Sequence, residues 1–347
     1  MHVNLCVEEA VTAKSLTREE VERLLSGDAT NHGSLQNAML AGVDLSHLDL
    51  SKQDLSSTNL SAANLSHSNL SNANLSRAQL HDTVFFGTDL SGAEFIGADA
   101  EGANFSGCDA SRAGFGATNL GSASFFESTL SGASFSQARL RDADLRCADM
   151  QGARLHGCDM EEIDASGANL QGAELDESRV DGASFDGADL RGGRMKGVSG
   201  FEGASFLDTD IRDTDFRGAY AIRRWIIDEN YLHEFRTRSP RAEWLYKLWW
   251  LTSDCGRSFW RWGAWTALMV ALFAAGYAFV TVDYGDYETP LSPIYFSVVT
   301  LTTLGFGDVV PSSMAAQVLA MIEVVVGYVA LGGLLSILAN KMGRRGE

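Results

Sequence analysis

The chain is 347 residues long, room for two or three domains, and carries a net charge of −18. Residues 222–347 hold 11 acids and 11 Lys/Arg, so the whole −18 lies in residues 1–221. An acidic front half and a neutral, apolar back half exclude one domain in one environment.

Five cysteines (Cys6, Cys108, Cys147, Cys158, Cys255) show no CxxC spacing and read as free thiols in a reducing compartment. The seven histidines are scattered, and no nucleophile–base pair or metal cluster is visible, so no enzyme and no organic cofactor are expected. No signal-peptide run opens the sequence and the first membrane-competent segment lies past residue 260, so the N-terminal part is expected in the cytoplasm.

Residues 1–35 read as a small cap. Thr17 and Glu20 have capping-box spacing before the helical run Val21–Leu25. From Leu40 to Met195 every fifth residue is apolar, 32 positions without a break. The residue two before each is nearly always small, as at Ala63, Ala73, Ala93, Ala143 and Ala188; Val43, Leu48, Gln53 and Ile163 are exceptions. A period of five fits neither a helix nor a flat strand and marks a repeat architecture.

Strings such as Ala63-Asn64-Leu65-Ser66-His67 and Ala143-Asp144-Leu145-Arg146-Cys147 resemble the pentapeptide-repeat family. The resemblance implies a right-handed quadrilateral β-helix over residues 36–221, with five residues per side and the Leu or Phe of each repeat on the axis. Phe85, Phe105 and Phe125 then stack on one wall, and Phe95, Phe115 and Phe135 on the opposite one, although a repeat of ten would place them as well. About nine coils give a rod on the order of 40 Å long. Cys108 and Cys158 fall at the small inward position and read as buried hydrophobes. The register slips after Met195: the next centres are Phe201, Phe206, Ile211 and Phe216, with one extra residue before Phe201.

Residues 222–258 form a linker. Ile222–Phe235 is expected to pack on the rod's end, and Arg241–Leu251, with Trp244, Trp249 and Trp250, reads as an amphipathic helix at a membrane surface. A membrane module is assigned to residues 259–345. Trp262–Val282 is 21 residues without a charge, and Met314–Ala339 contains one acid, Glu323. Both are expected to span a lipid bilayer. Arg257 and Arg261 before the first, and Lys341, Arg344 and Arg345 after the second, put both termini in the cytoplasm. Asp283, Asp286, Glu288 and Asp308 then face outward.

The loop between these spans holds Thr300-Leu301-Thr302-Thr303-Leu304-Gly305-Phe306-Gly307-Asp308, preceded by a short helix from Pro290 to about Thr302. No glycine stands three residues after Gly307 and no Lys-Ser/Thr follows, so neither phosphate-binding fingerprint is met. Alternating glycine lets successive carbonyls point the same way, and a ring of such carbonyls replaces the water around a cation.

The stretch resembles the selectivity filter of potassium channels, Thr-Val-Gly-Tyr-Gly-Asp, with Leu304 for the Val and Phe306 for the Tyr. The resemblance implies K+ as permeant ion. It makes the carbonyls of Thr303, Leu304, Gly305 and Phe306 and the Thr303 hydroxyl its ligands, with Gly307 completing the alternation and Asp308 at the outer mouth. It also implies a homotetramer, since each chain supplies one quarter of the ring. Phe306 lacks the bracing hydroxyl of the usual Tyr, and Val299 stands where some relatives carry a Glu facing the acid after the filter. Gly327 has the spacing of the inner-helix hinge, with Gly332 and Gly333 as competitors and close helix packing as its alternative role. Glu323 either faces the pore or hydrogen-bonds the pore helix.

No Arg-rich helix or nucleotide fold is present, so the rod is the expected regulatory or partner-binding part. The resemblance to bacterial members places the protein in a bacterial inner membrane. The competing reading is a membrane-anchored acidic scaffold, of the DNA-mimic or gyrase-binding type, with a vestigial pore. No nucleic-acid partner is expected.

Overall fold

A computed structural model describes residues 15–26, 35–285 and 288–343. Cys6, Asp286, Arg344, Arg345 and most of the expected cap lie outside them. The chain divides into two compact units, residues 1–231 and 232–347.

The first unit is a four-sided β-helix. From Met39 to Arg179, each residue preceding an axial side chain bridges in parallel to the residue 20 further on, as in Asp44↔Asn64, Asn64↔Val84 and Val84↔Asn104. A repeat of ten is therefore excluded: one coil is four pentapeptides. The backbone hydrogen bonds run between coils, Leu45 N to Asn64 O at 2.7 Å and Asn64 N to Val43 O at 3.0 Å, so buried amides find partners one coil away.

Each corner is a tight turn. Ala63 N donates to Leu60 O at 2.9 Å, and the residue between, Ala62, has φ 56°. Every fifth residue from Asn37 to Gly197 is left-handed in this way. Turns with positive φ at the third position favour glycine, yet many corners here carry Ser, Asp, Glu or Arg, at a cost in backbone strain. A second feature offsets it. The Asp or Asn before each axial residue accepts from the amide two positions on, as Asp44 Oδ1 does from Ser46 N and Asn59 Oδ1 from Ser61 N, both at 3.0 Å. These local turns explain why the repeat prefers Asp or Asn there.

The axial side chains are fully buried. Phe85, Phe105 and Phe125 stack with centroids 4.7 Å apart, and Phe95, Phe115 and Phe135 at 4.8 Å. The two ladders meet edge to face across the axis, Phe105 and Phe115 at 5.7 Å. Cys108 and Cys158 are buried at the small inward position, as expected.

The register slip is displaced from its expected position. Arg179↔Ser199 still spans one coil, while Ser184↔Ser205 spans 21 residues. The extra residue falls at a single 3-10 turn, Phe201–Gly203, entered through Gly200 at φ 76°. Gly200 holds the next axial position but has no side chain to fill it. Phe201 lies in the turn, partly exposed, and meets Trp225 edge-on at 6.5 Å. Phe206 and Phe216 are buried centres, and Ile211 is partly buried.

Both ends of the coil core are covered. Helix α1 (Arg18–Ser26) buries Val21, and its capping box is closed by Thr17 N on Glu20 Oε2 at 2.9 Å. At the other end, α2 (Tyr220–Thr237) buries Ile222 and Ile226, and its Asn230 pairs with Phe206 O and Asp208 N. Unit one consequently extends to Tyr231, past the boundary expected at residue 221.

The second unit contains α3 (Pro240–Ser253), α4 (Phe259–Tyr277), α5 (Ser292–Leu301) and α6 (Met314–Gly343). Strands β1 (Val282–Asp283) and β2 (Val310–Pro311) pair antiparallel. Helix α3 starts at its Ser239 cap, which accepts from Ala242 N at 3.2 Å. At ~100° per residue, Trp244, Leu245, Leu248 and Trp249 share one side of it and Trp250 lies on another, and all five are exposed.

Among the described residues, Met314–Ala339 is long and apolar enough to cross a membrane. Helix α4 stops at Tyr277 rather than running to Val282. Val280-Thr281-Val282 is β-branched, which disfavours helix, and Val282 is captured by the ladder to Pro311.

Candidate functional site

Helix α5 ends in a Schellman arrangement. Leu304 N donates to Val299 O and Thr303 N to Thr300 O, both at 3.0 Å. The left-handed position of that motif, normally glycine, is Thr303 at φ 56°. A β-branched residue there is a conformational outlier, and outliers that persist concentrate at functional sites. Gly305 and Gly307 follow at φ 52° and 79°. Positive φ therefore recurs at alternate residues, and the hand of the backbone alternates along Thr303–Gly307. The helix C-terminus just before this stretch carries partial negative charge, favourable to a cation.

Residues 302–308 are all exposed in the single chain, Leu304 by 61% and Phe306 by 66%. A side-chain carbon at Gly305 or Gly307 would meet nothing within 4 Å. A cavity of about 440 Å³ lies beside Thr302 and Thr303, lined otherwise mostly by apolar side chains of α4 and α6.

The stretch is tied at its far end. Tyr295 Oη on α5 donates to Asp308 Oδ2 at 2.6 Å. Sequence reasoning missed this contact. Phe306 offers no hydroxyl and Val299 is a buried apolar side chain, so the tie comes from a tyrosine 13 residues before the acid. The only sequence signal was a single phenol in a helix without charged residues.

Glu323 and Gly327 lie apart from the exposed stretch and contact α5 instead. Glu323 is fully buried; Tyr277 Oη on α4 donates to its Oε2 at 2.6 Å and Ser297 Oγ on α5 donates to its Oε1. Of the two orientations open to Glu323, the structure has the one toward α5. One turn later, Gly327 sits against the last turn of α5, where any Cβ would overlap the Leu301 carbonyl. Gly333 is likewise closed off, by the Trp262 ring, whose Nε1 donates to Ala330 O at 3.1 Å. Gly332 has open space around it.

Elsewhere, coil stacking gathers a trio that the sequence did not reveal. Ligand atoms of His81, Asp99 and Glu101 lie within 4.8 Å of one another, with the Asn119 amide donating to both acids.

Two family models match the sequence: "Pentapeptide repeats", in eight copies over residues 54–92, 88–125, 123–161 and 162–199, and "Ion channel" over residues 265–344. The chain is 44% identical over 57 residues to two pore potassium channel b of Oryza sativa subsp. japonica, 16% of each protein. It is 35% identical over 75 residues to the calcium-gated potassium channel TvoK of Thermoplasma volcanium, 21% of this chain and 22% of that one. The chain thus spans less than a third of the length of the curated relatives it matches. Among solved structures, it is similar to HetL, a pentapeptide repeat protein of the cyanobacterium Nostoc sp.. That likeness has 22% identity and a TM-score of 0.36, over 58% of this chain and 94% of that one.

Proposed function

Because the chain joins pentapeptide repeats to an ion-channel domain, we propose that it is a potassium-selective channel. Four copies assemble around the Thr303–Gly307 carbonyls, with α4 and α6 crossing the membrane, both termini in the cytoplasm, and the repeat rod as a regulatory or partner-binding part. The observation that carries this reading is the alternation of positive φ at Thr303, Gly305 and Gly307 in a fully exposed stretch at a helix C-terminus. Such a backbone aims carbonyls at a common point, and its exposed side chains leave room for neighbouring copies. One chain holds too few oxygens to replace a cation's hydration shell, hence the tetramer.

The competing reading, an anchored acidic scaffold, requires neither a strained Thr303 nor a tied Asp308. Some of the rod's acids are engaged by arginines of the same or the neighbouring coil: Arg191 with Asp189 and Asp210, Arg194 with Glu174 and Asp176.

Purified protein in liposomes tests the proposal. Outward K+ and Na+ gradients are expected to give K+-selective flux that Thr303→Ala abolishes or renders unselective. Equal flux of both ions would overturn the selectivity. No flux from a verified tetramer, with or without residues 1–235, would favour the scaffold.

A further inference from the structure

Glu323 is a carboxyl group with no access to solvent, and the conducting stretch does not use it. Three elements converge on it: α4 through Tyr277, α5 through Ser297, and α6, which carries it. Ser297 Oγ is also 3.1 Å from Val270 O of α4, so the knot closes on itself. Tyr277 is the titratable side chain that faces Glu323 from α4, and Ser297 is the polar one from α5. Tyr277 also packs its ring on Phe296 of α5, with centroids 4.7 Å apart.

These contacts reach the backbone just beyond α5. Glu323 and Gly327 are one turn apart on α6 and grip Ser297 and Leu301, also one turn apart on α5. The grip is polar at one point and a side-chain-free notch at the other. Thr303 and Leu304 are hydrogen-bonded back to Thr300 and Val299, both between the two gripped residues. The backbone therefore cannot move at Thr303 without α5 moving, and α5 is seated by Glu323. Ser297 lies six residues from Thr303, roughly 9 Å along the helix.

We propose that Glu323 is a positioning residue for the filter: its carboxyl group pins α5 to α4 and α6 and so holds the Thr303–Gly307 carbonyls at the spacing that separates K+ from Na+. This rests on the conducting reading above.

The test compares wild type, Glu323→Gln, Glu323→Leu and Ser297→Ala for K+ and Na+ flux from liposomes, with assembly and thermal unfolding followed for each. A Gln amide donates to Ser297 and accepts from Tyr277, so Glu323→Gln is expected to keep the wild-type ion ratio. Glu323→Leu fills similar space without hydrogen bonds and is expected to assemble with a K+/Na+ ratio roughly fivefold lower, the scale of one hydrogen bond between membrane helices. Wild-type selectivity in an assembled Glu323→Leu overturns the proposal. So does a Glu323→Gln as unselective as Glu323→Leu, since hydrogen bonds from a side chain of the same shape would then not hold the filter. Should Glu323→Leu fail to assemble, Ser297→Ala, which removes one donor and little volume, is read instead: a lowered ratio supports the proposal and an unchanged one overturns it.

A closed wild-type channel is read by hydrogen exchange of residues 292–308 in K+ against Na+. Extra protection in K+ that Glu323→Leu loses supports the proposal, and protection that persists overturns it. Wild type with neither flux nor a K+ effect on exchange overturns the conducting reading, and the positioning role with it.

Discussion

Gly327 of α6 lies so close to Leu301 of α5 that any side chain at 327 would overlap the Leu301 carbonyl. Both interpretations of this glycine, hinge and close packing, were open in the sequence, and the contact supplies the second directly. Gly327→Ala forces backbone against backbone, so it is expected to cost about 3 kcal/mol, the upper end for overpacking. Thermal unfolding in detergent measures it. Gly332→Ala, with open space around it in the single chain, is the comparison and should lie within about 0.5 kcal/mol of wild type. Equal stability of the two variants, with altered opening in Gly327→Ala alone, would return Gly327 to a pure hinge.

The Tyr295–Asp308 hydrogen bond spans the proposed filter from the helix before it to the acid after it. Tyr295→Phe removes the donor and keeps the ring. A hydrogen bond to a charged, exposed partner contributes about 1 kcal/mol. The K+ concentration needed for thermal stabilisation is therefore expected to rise roughly fivefold. A K+ titration of the melting temperature, Tyr295→Phe against wild type, reads this out. An unmoved midpoint would show that Asp308 is held by something else.

Acid should loosen the last coils of the rod. The side-chain hydrogen bond from Arg191 holds the Asp189 carboxyl well below the usual carboxylate range, and Arg217 does the same for Asp215. A carboxylate depressed in the folded state contributes stability above its unfolded value, about 3.9. That contribution is lost as pH falls below it. The protection of residues 180–216 against hydrogen exchange, referred to the intrinsic rate at each pH, is expected to stay level from about pH 5 to 8 and to fall below about pH 4. Asp189→Asn should remove part of the acid dependence, since an amide does not titrate there. An unchanged acid profile in that variant would assign the effect elsewhere.

Thiol reactivity should follow the coil geometry. Cys147 stands exposed at a corner, whereas burial at the small inward position pushes the Cys108 and Cys158 thiols up to about 12. At pH 8, maleimide should label Cys147 and leave the other two roughly a thousandfold slower. Mass spectrometry of the labelled chain checks it, with urea-unfolded protein as reference. Fast labelling of Cys108 in the folded protein would mean that the coil opens.

Much of the fold was legible because its rules are local. Axial residues recur every five positions, an Asp or Asn precedes most of them and pairs two residues on, and Thr17–Glu20 closes a box within one turn. Such patterns depend on neighbours in sequence, so the sequence displays them. The candidate filter was legible for the same reason: the alternation at Thr303, Gly305 and Gly307 is a property of five consecutive residues. The coil length of 20 was not, since stacked phenylalanines fit 10 as well. Only the parallel bridges between coils choose.

By itself, then, the sequence determined a five-residue repeat with an apolar axis, an acidic front, and a glycine-alternating stretch between apolar runs. Tertiary structure decided what depends on groups far apart in the chain. It ended α4 at Tyr277 by pairing Val282 with Pro311, and moved the register slip to the turn at Phe201 because Gly200 cannot fill the axis. It turned Glu323 toward Tyr277 and Ser297, 46 and 26 residues away. A buried polar group must find a partner, but the sequence holds many hydroxyls and does not say which will be near. Packing makes that choice, because only one arrangement brings Gly327 onto Leu301 and Glu323 onto Ser297 at the same time.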